Sequence, residues 1–404
     1  MIHYRAEWVL PISRPPIRGG WIAVDGDRVV NVFESAPRRL VDPTDLGGVA
    51  VLPGLVNAHT HLELSYLRGQ IPAGGSFVDW IRGVIDTRRR YPDPRAPEIV
   101  NSVYAAISEA VAAGTALVGD ISNTLVTNDP LVRSPLAAVV FFELIRFKAA
   151  DATAAVDQAL DAIGQVARSD HVRASLAAHA PYSVAPAVFK ALRASMTGHL
   201  LPPCSVHLSE SVEEVEFIRT GRGPWRALLE DLGVWDPTWT PPSRSPVEFL
   251  DDIGFIGSGT LAIHGVQMTN TDLRTLAARG ATLVTCPRSN LHTGAGTPPI
   301  ARFYQSGVRV AVGTDSLASV DDLNVFAELA AMRRIAPDVE AYKLIDSATR
   351  QGATALGFGA DFGTLDAGKR ARLIAVDVPA GCDDVEEYLV GGIQPSQIRW
   401  LNHA

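Results

Sequence analysis

Eight short runs of apolar and β-branched residues, separated by segments long enough for helices, constrain this chain more than any other feature. They are Val51–Leu55, Thr115–Gly119, Ala137–Phe142, Arg173–Ala178, Cys204–Leu208, Thr260–Ile263, Ala281–Thr285 and Val308–Val312. Strand and helix patterns that alternate in this way build a parallel sheet. Eight is the number at which such a sheet closes into a (β/α)8 TIM barrel filled by its own side chains. The intervening segments have helical texture: Pro97–Ala113 carries apolar residues at helical spacing and stops at Gly114, and Asp151–Ala167 is similar. A barrel takes roughly 250 residues, so a chain of 404 leaves room for a second, smaller unit.

That unit is written at both ends. Trp21–Val30 reads as two strands around an Asp25-Gly26 turn, and Gly368–Asp377 returns to strand texture after a helical stretch that ends near Gly357. Neither piece can bury a face alone, so residues 1–50 and 362–404 are expected to pair as a composite β-sandwich beside an α/β barrel of residues 51–361. The longest irregular insert, Trp235–Ser245, holds two tryptophans and three prolines and is expected to cover the barrel mouth.

Composition narrows the partners. No apolar run approaches the roughly 18 residues of a membrane span, and Met1–Pro16 mixes His3, Arg5, Glu7 and Arg14 into its apolar text, unlike a secretory signal. A cytoplasmic location is expected. A formal charge of −8 argues against nucleic acid and for a small-molecule substrate; a homodimer is left open. Cys204, Cys286 and Cys382 lie far apart, which suggests neither a disulfide framework nor a cysteine zinc site. Any metal must therefore rest on histidine and carboxylate.

Those residues are present where a barrel would use them. His59 and His61 form an HxH pair at the carboxyl end of the first barrel run, and residues two apart in an extended segment point the same way. His207 ends the fifth run, His264 follows the sixth, and Asp315 follows the eighth. All five sit at strand ends that share the catalytic mouth of a barrel. Imidazoles with one carboxylate suit Zn²⁺ or Fe²⁺ with room for a water. The other histidines, His3, His171, His199, His292 and His403, lie at termini, before strands or in helices and loops, and read as structural or surface residues.

At these positions the chain resembles the amidohydrolase superfamily over nearly its full length. The resemblance rests on Pro53-Gly54-Leu55-Val56-Asn57-Ala58-His59-Thr60-His61, Val206-His207-Leu208-Ser209-Glu210, Ile263-His264-Gly265, Gly313-Thr314-Asp315-Ser316 and the closing Gly368-Lys369 segment. Arg372 departs from it, standing where the family usually has an acidic residue. The superfamily includes binuclear sites bridged by a carbamylated lysine after the fourth strand and mononuclear sites without one. Here that strand ends in Ala178-His179-Ala180-Pro181 with no lysine near, which favours one divalent metal, Zn²⁺ or alternatively Fe²⁺. The resemblance to the mononuclear deaminases implies His59, His61, His207 and Asp315 as ligands, with His264 orienting the attacking water.

Glu210, three residues beyond His207, points to deamination. Replacing a ring amino group by water requires protonation of the ring nitrogen and of the departing ammonia, and a carboxyl group beside the metal can carry those protons, with Asp315 taking one and Glu210 the other. Among the deaminases, His59–Ser65, Phe141–Glu143, Cys286–Asn290 and Gly313–Ser319 resemble the aminodeoxyfutalosine deaminases of a menaquinone route. That resemblance implies an adenine-type ring held by His179 and a distal benzoate met by an arginine, with Arg146, Arg288 and Arg68 as candidates. Glu63 and Glu143 would contact ribose hydroxyls or ring nitrogens, or support the histidines. Deaminases of adenosine, S-adenosylhomocysteine, guanine or a pterin share the metal set; a metal-free inactive scaffold on the same barrel is the alternative of another class.

Overall fold

The computed structural model describes residues 1–198 and 203–401, with side chains of 197 and 198 left aside. His199 and His403 lie outside the described residues. Eight parallel strands pair in chain order: Leu55–Thr60, Thr115–Ser122, Ala137–Leu144, Val172–Ala178, Cys204–Leu208, Thr260–His264, Thr282–Thr285 and Arg309–Val312. Helices such as Pro97–Ala112 and Ala152–Gln165 lie between them. Asp151 caps the second of these by accepting from the Ala154 N–H.

The last strand meets the first through the residues that follow it. The Asp315 N–H donates to the His59 carbonyl at 3.0 Å, and Thr60 and Asp315 form a parallel bridge. Close approach here requires glycine: a Cβ on Gly313 would stand 2.6 Å from the His59 carbonyl oxygen and 2.9 Å from its nitrogen. Asn57 and Thr314 lock the same seam with two reciprocal bonds of 2.7 and 3.0 Å.

One strand differs from the expectation. The run Val49–Pro53 belongs to the outer sheet, not the barrel, and the first barrel strand begins at Leu55. The reason is visible in its burial. Val49 and Val51 face the sandwich core, while Ala50 and Leu52 face the core beneath the barrel helices. A strand buried on both faces has the same unbroken apolar text as a barrel strand. The chain passes from one sheet to the other at Gly54, where a Cβ would come within 2.6 Å of Ala116 and 2.8 Å of Trp400.

The outer unit is two sheets. One orders Arg28–Phe33, Trp21–Asp25, Ile2–Arg5 and Pro43–Asp45; the other orders Ile398–Trp400, Leu373–Asp377, Val49–Pro53, Trp8–Val9 and Ile17–Arg18. Tyr4, Ile22, Val24, Val29, Leu373 and Ala375 fill the space between them. The first hairpin turns at Gly26-Asp27, one residue later than expected, because Asp25 pairs with Arg28. No helix among the described residues is long and apolar enough to cross a membrane.

The seam yields a test. Gly313→Ala should cost about 1–3 kcal/mol by overpacking, read as a lowered Tm. Gly164→Ala, in a helix with open space around it, should instead leave stability unchanged or raise it by roughly 0.5–1 kcal/mol.

Candidate active site

The strand ends bring the five expected groups together. Ring centroids of His59 lie 4.9 Å from those of His61 and His207, and 5.7 Å from that of His264. Asp315 Oδ1 stands 3.7 Å from His59 Nε2 and 3.5 Å from His61 Nε2. His264 Nε2 is 3.4 Å from Glu210 Oε1, and Glu210, His264 and Asp315 have ligand atoms within 4.8 Å of one another. Ser209, His264 and Asp315 hold φ values of 53°, 75° and 62°. Non-glycine residues in the left-handed region carry strain that only a tightly determined surrounding maintains.

These side chains fit a divalent cation. Both ring nitrogens of His59 are buried without a hydrogen-bond partner. His207 Nδ1 lies 3.0 Å from the His179 carbonyl; a carbonyl only accepts, so Nδ1 carries the hydrogen and Nε2 is the free lone pair. Burial pushes His61 and His264 down to about 3 and His207 well below its ordinary value, which keeps their rings neutral. Asp315 is oriented by the Ser289 hydroxyl on Oδ2 at 2.5 Å and by the Ser316 N–H on Oδ1 at 2.8 Å. His264 Nδ1 meets the Asn290 carboxamide at 3.0 Å.

The two carboxyl groups beside that set are driven apart. Burial pushes Glu210 well above the usual carboxylate range, and the charges of Asp315 and Glu214 push the same way. Burial opposes ionisation of Asp315 too, but the imidazoles of His59, His61 and His264 around it outweigh burial and hold Asp315 well below that range. Glu210 is placed by its own backbone: Glu214 accepts from the N–H groups of Ser209 at 2.9 Å and Glu210 at 2.8 Å. Glu214 is a buried carboxyl that the sequence analysis did not single out. The signal was available, since Ser211-x-x-Glu214 is a capping-box pattern and Ser211 caps the helix Val212–Thr220.

A cavity of about 330 Å³ opens over the site. His61, His179, His207, Glu210, His264 and Asp315 line its base. Glu143 Oε1 faces it, buried and without a hydrogen-bond partner, 3.6 Å from His207 Nδ1. His179 Nδ1 pairs with the Ser183 hydroxyl at 2.6 Å. One wall is the helix Phe77–Arg88, which presents Phe77, Trp80, Ile81, Val84, Ile85 and Arg88 at helical spacing. The other is the helix Pro224–Asp231, whose Trp225 stacks on Tyr182 with centroids 3.6 Å apart. The two walls are joined by the ion pair Arg82–Asp231 at 2.8 Å.

Other expected residues fall elsewhere. Arg288 is not on the cavity wall: its guanidinium is committed to Glu328 at 2.6 Å and Asp322 at 2.8 Å. Arg68 pairs with Glu109 on the outside. Arg146 does line the cavity. Glu63 lies behind it, its Oε2 accepting from Ser122 and Thr124 and its Oε1 from Arg88. The insert Trp235–Ser245 does not cover the mouth; Trp235 and Trp239 pack on Phe147 and Phe217. Arg88 was not foreseen, although it extends the apolar stripe of its helix by one turn.

Asp120 supports the HxH turn by accepting from the Leu62 N–H at 2.8 Å. Burial raises its pKa to about 8. A carboxyl whose folded pKa is raised stabilises fully below its unfolded value near 3.8 and loses that contribution as pH climbs through about 8. Asp120→Asn keeps the bond to Leu62 and does not titrate. Denaturant unfolding should therefore show the variant gaining on the parent between pH 4 and 8, with a constant difference above; a parallel pH profile would refute the assignment.

Comparison with known proteins agrees with this geometry. The amidohydrolase family model matches residues 50–396. An aminodeoxyfutalosine deaminase of Deinococcus radiodurans is 31% identical over 77% of this chain and 74% of its own. A 5-methylthioadenosine/S-adenosylhomocysteine deaminase of Teredinibacter turnerae is 26% identical over 92% and 83%. The crystal structure of an adenosine deaminase of Xanthomonas campestris with bound zinc superposes with a TM-score of 0.82 and 26% identity, covering 98% and 90%. On the match of its barrel to that family model, the chain belongs to the amidohydrolase family and is a hydrolase of carbon–nitrogen bonds.

Proposed function

We propose that this protein is a metal-dependent deaminase of a purine-type ring and that its preferred substrate is 6-amino-6-deoxyfutalosine, giving futalosine and ammonia in menaquinone biosynthesis. The observation that carries the deaminase reading is the pair Glu210 and Asp315. Two buried carboxyl groups beside one set of imidazoles have opposite protonation preferences, the arrangement that separates an acid from a base in one site.

His59, His61, His207 and Asp315 would hold one metal, Zn²⁺ or Fe²⁺. When bound, it supplies acidification of a water and polarisation of the bond under attack. The remaining work belongs to the chain. Asp315 takes one proton from the attacking water, and protonated Glu210 gives its proton to the ring nitrogen beside the reacting carbon. A carbon–oxygen bond forms, then the carbon–nitrogen bond to the amino group breaks as that group receives from Asp315 the proton taken from water and leaves as ammonia, while the new hydroxyl returns its proton to Glu210 and becomes the ring carbonyl. His264 orients the water, with Glu210 3.4 Å away. His179 and Glu143 face the place of the ring, and Arg146 stands on the cavity wall.

The Deinococcus relative supports the futalosine-type substrate. The Teredinibacter relative, aligned over more of the chain, supports 5-methylthioadenosine or S-adenosylhomocysteine as the second reading. Ammonia release from aminodeoxyfutalosine, 5-methylthioadenosine, S-adenosylhomocysteine, adenosine, guanine and isoxanthopterin separates them. Highest kcat/KM on aminodeoxyfutalosine is the expected result, and a higher value on another ring would overturn the substrate.

Two outcomes test the site. Glu210→Gln should retain its metal, measured by elemental analysis, while kcat falls by at least ~100-fold; full turnover would sink the proton-transfer role. Removing the metal with a chelator should abolish ammonia release and lower Tm, and either Zn²⁺ or Fe²⁺ should restore both.

A further inference from the structure

The helix Pro287–His292 follows the seventh barrel strand and is only six residues long, yet three consecutive residues on it serve three different partners. Ser289 places its hydroxyl on Asp315 Oδ2, Asn290 meets His264 Nδ1, and both side chains are fully buried. Arg288, the residue before them, turns away from the cavity toward the helix Val325–Ile335. A helix of so few residues has little stability of its own, so its place is set by what holds it from outside.

Four bonds hold Arg288. Glu328 accepts from its backbone N–H on Oε2 at 3.1 Å and from its Nε on Oε1 at 2.6 Å. Asp322 accepts from Nη1 on Oδ1 at 2.8 Å, and the Asp322 carbonyl accepts from Nη2 at 2.8 Å. The bond to the backbone N–H fixes where the short helix stands, and the bond to Nε fixes how it is turned. The far side of this clamp is itself anchored. Asp322 Oδ1 also accepts from the Asn324 N–H at 3.0 Å, and Asn324 caps the helix Val325–Ile335 by accepting from the Phe326 N–H at 3.0 Å. Glu328 is 0% exposed, so no water stands ready to replace a bond that is lost.

We propose that Glu328 is a positioning residue for the metal site. By clamping Arg288 it sets the place of Ser289 and Asn290, and through them the carboxylate of Asp315 and the ring of His264. Glu328 does not line the cavity and acts only through the short helix. A ligand set keeps its geometry only when its supports hold it to within about 0.5 Å, and a shift of Arg288 is passed to its two neighbours along one turn of backbone. This rests on the metal-dependent reading above for the roles of Asp315 and His264. The arginine expected to meet a carboxylate of the substrate thus meets two of the protein's own.

The test uses the full chain and reads zinc affinity by competition with a chromophoric chelator, the visible spectrum of the Co²⁺-loaded protein, Tm and ammonia release. Glu328→Gln keeps the shape of the side chain but loses its charge and turns an NH₂ toward one donor of Arg288. It should bind zinc at least ~10-fold more weakly, shift the Co²⁺ spectrum and lower kcat with KM unchanged. Arg288→Lys, the milder change, leaves Glu328 paired but loses the fork and should fall between. The double variant should lose less zinc affinity than the product of the two single losses, because both act through one contact. Asp346→Asn is the structural control: Asp346 is buried and takes two bonds from Arg350 at 2.7 and 2.9 Å far from the site, so it should lower Tm and leave zinc affinity and the Co²⁺ spectrum unchanged. Parental zinc affinity and spectrum in Glu328→Gln, or an equal loss of affinity in Asp346→Asn, would overturn the positioning role. A parent that binds no zinc would overturn it together with the metal site. Weakened zinc binding in Glu328→Gln by a protein that releases ammonia from no ring would uphold the positioning role and remove the deaminase reading. Ammonia release by the parent with equal zinc affinity in every variant would do the reverse.

Discussion

The bond from the Asp315 N–H to the His59 carbonyl is the contact on which the rest of this structure depends. It joins the last turn of the barrel to the first strand, and its two residues are also members of the candidate metal set. Closure of the fold and assembly of the site are one event. Thr60 adds to the seam by donating its hydroxyl to the Asp315 carbonyl at 3.0 Å, and the Thr314 hydroxyl orients the same carbonyl at 3.1 Å. A site built into a ring closure inherits the rigidity of the ring, which is what a ligand set needs to keep its geometry when the cation is absent.

Burial then sets the electrostatics. Removing imidazoles from water disfavours their charged forms, which keeps lone pairs available for a cation. The same desolvation acts on every carboxyl group in the pocket. Asp315 escapes it because it stands within 3.5 to 3.7 Å of two imidazoles, whereas Glu210 stands 3.4 Å from that of His264 and has the carboxyls of Asp315 and Glu214 against it. A difference in neighbours, not in residue type, gives the two carboxyl groups opposite protonation preferences.

Much of this was legible in the sequence, and the reasons differ by element. The convergence of the candidate metal set was readable because each group sits at or just beyond a strand end, and strand ends are marked by the close of an apolar run. Glu210 followed from its spacing to His207. The misplacement of Val51–Leu55 in the barrel arose because burial on two faces of the outer strand Val49–Pro53 erases the alternation that distinguishes an outer strand. Arg288 and Arg146 could not be told apart, since each follows a barrel strand; only the structure shows that Glu328 and Asp322 claim the first. The covering role expected of Trp235–Ser245 went to two helices because its tryptophans found aromatic partners on Phe147 and Phe217 instead.

Arg88 shows why the wall of a cavity is harder to read than a convergent site. Catalytic groups converge on a point, so their positions are fixed by the closed ends of the strands and their residue types by the reaction. A residue that reads the distal part of a substrate needs only to reach a wall, and many surface arginines look alike. What distinguishes Arg88 is helical phase: it stands eleven residues beyond Phe77 on the stripe that also carries Trp80, Ile81, Val84 and Ile85. A charged residue that continues an apolar stripe inward is either paired or facing a ligand, and Arg88 is half paired, with one hand on Glu63 and the other toward the cavity. The helix Phe77–Arg88 thus lines the cavity with an apolar stripe that ends in a charge, while the candidate metal set stands apart from it at the seam of the barrel.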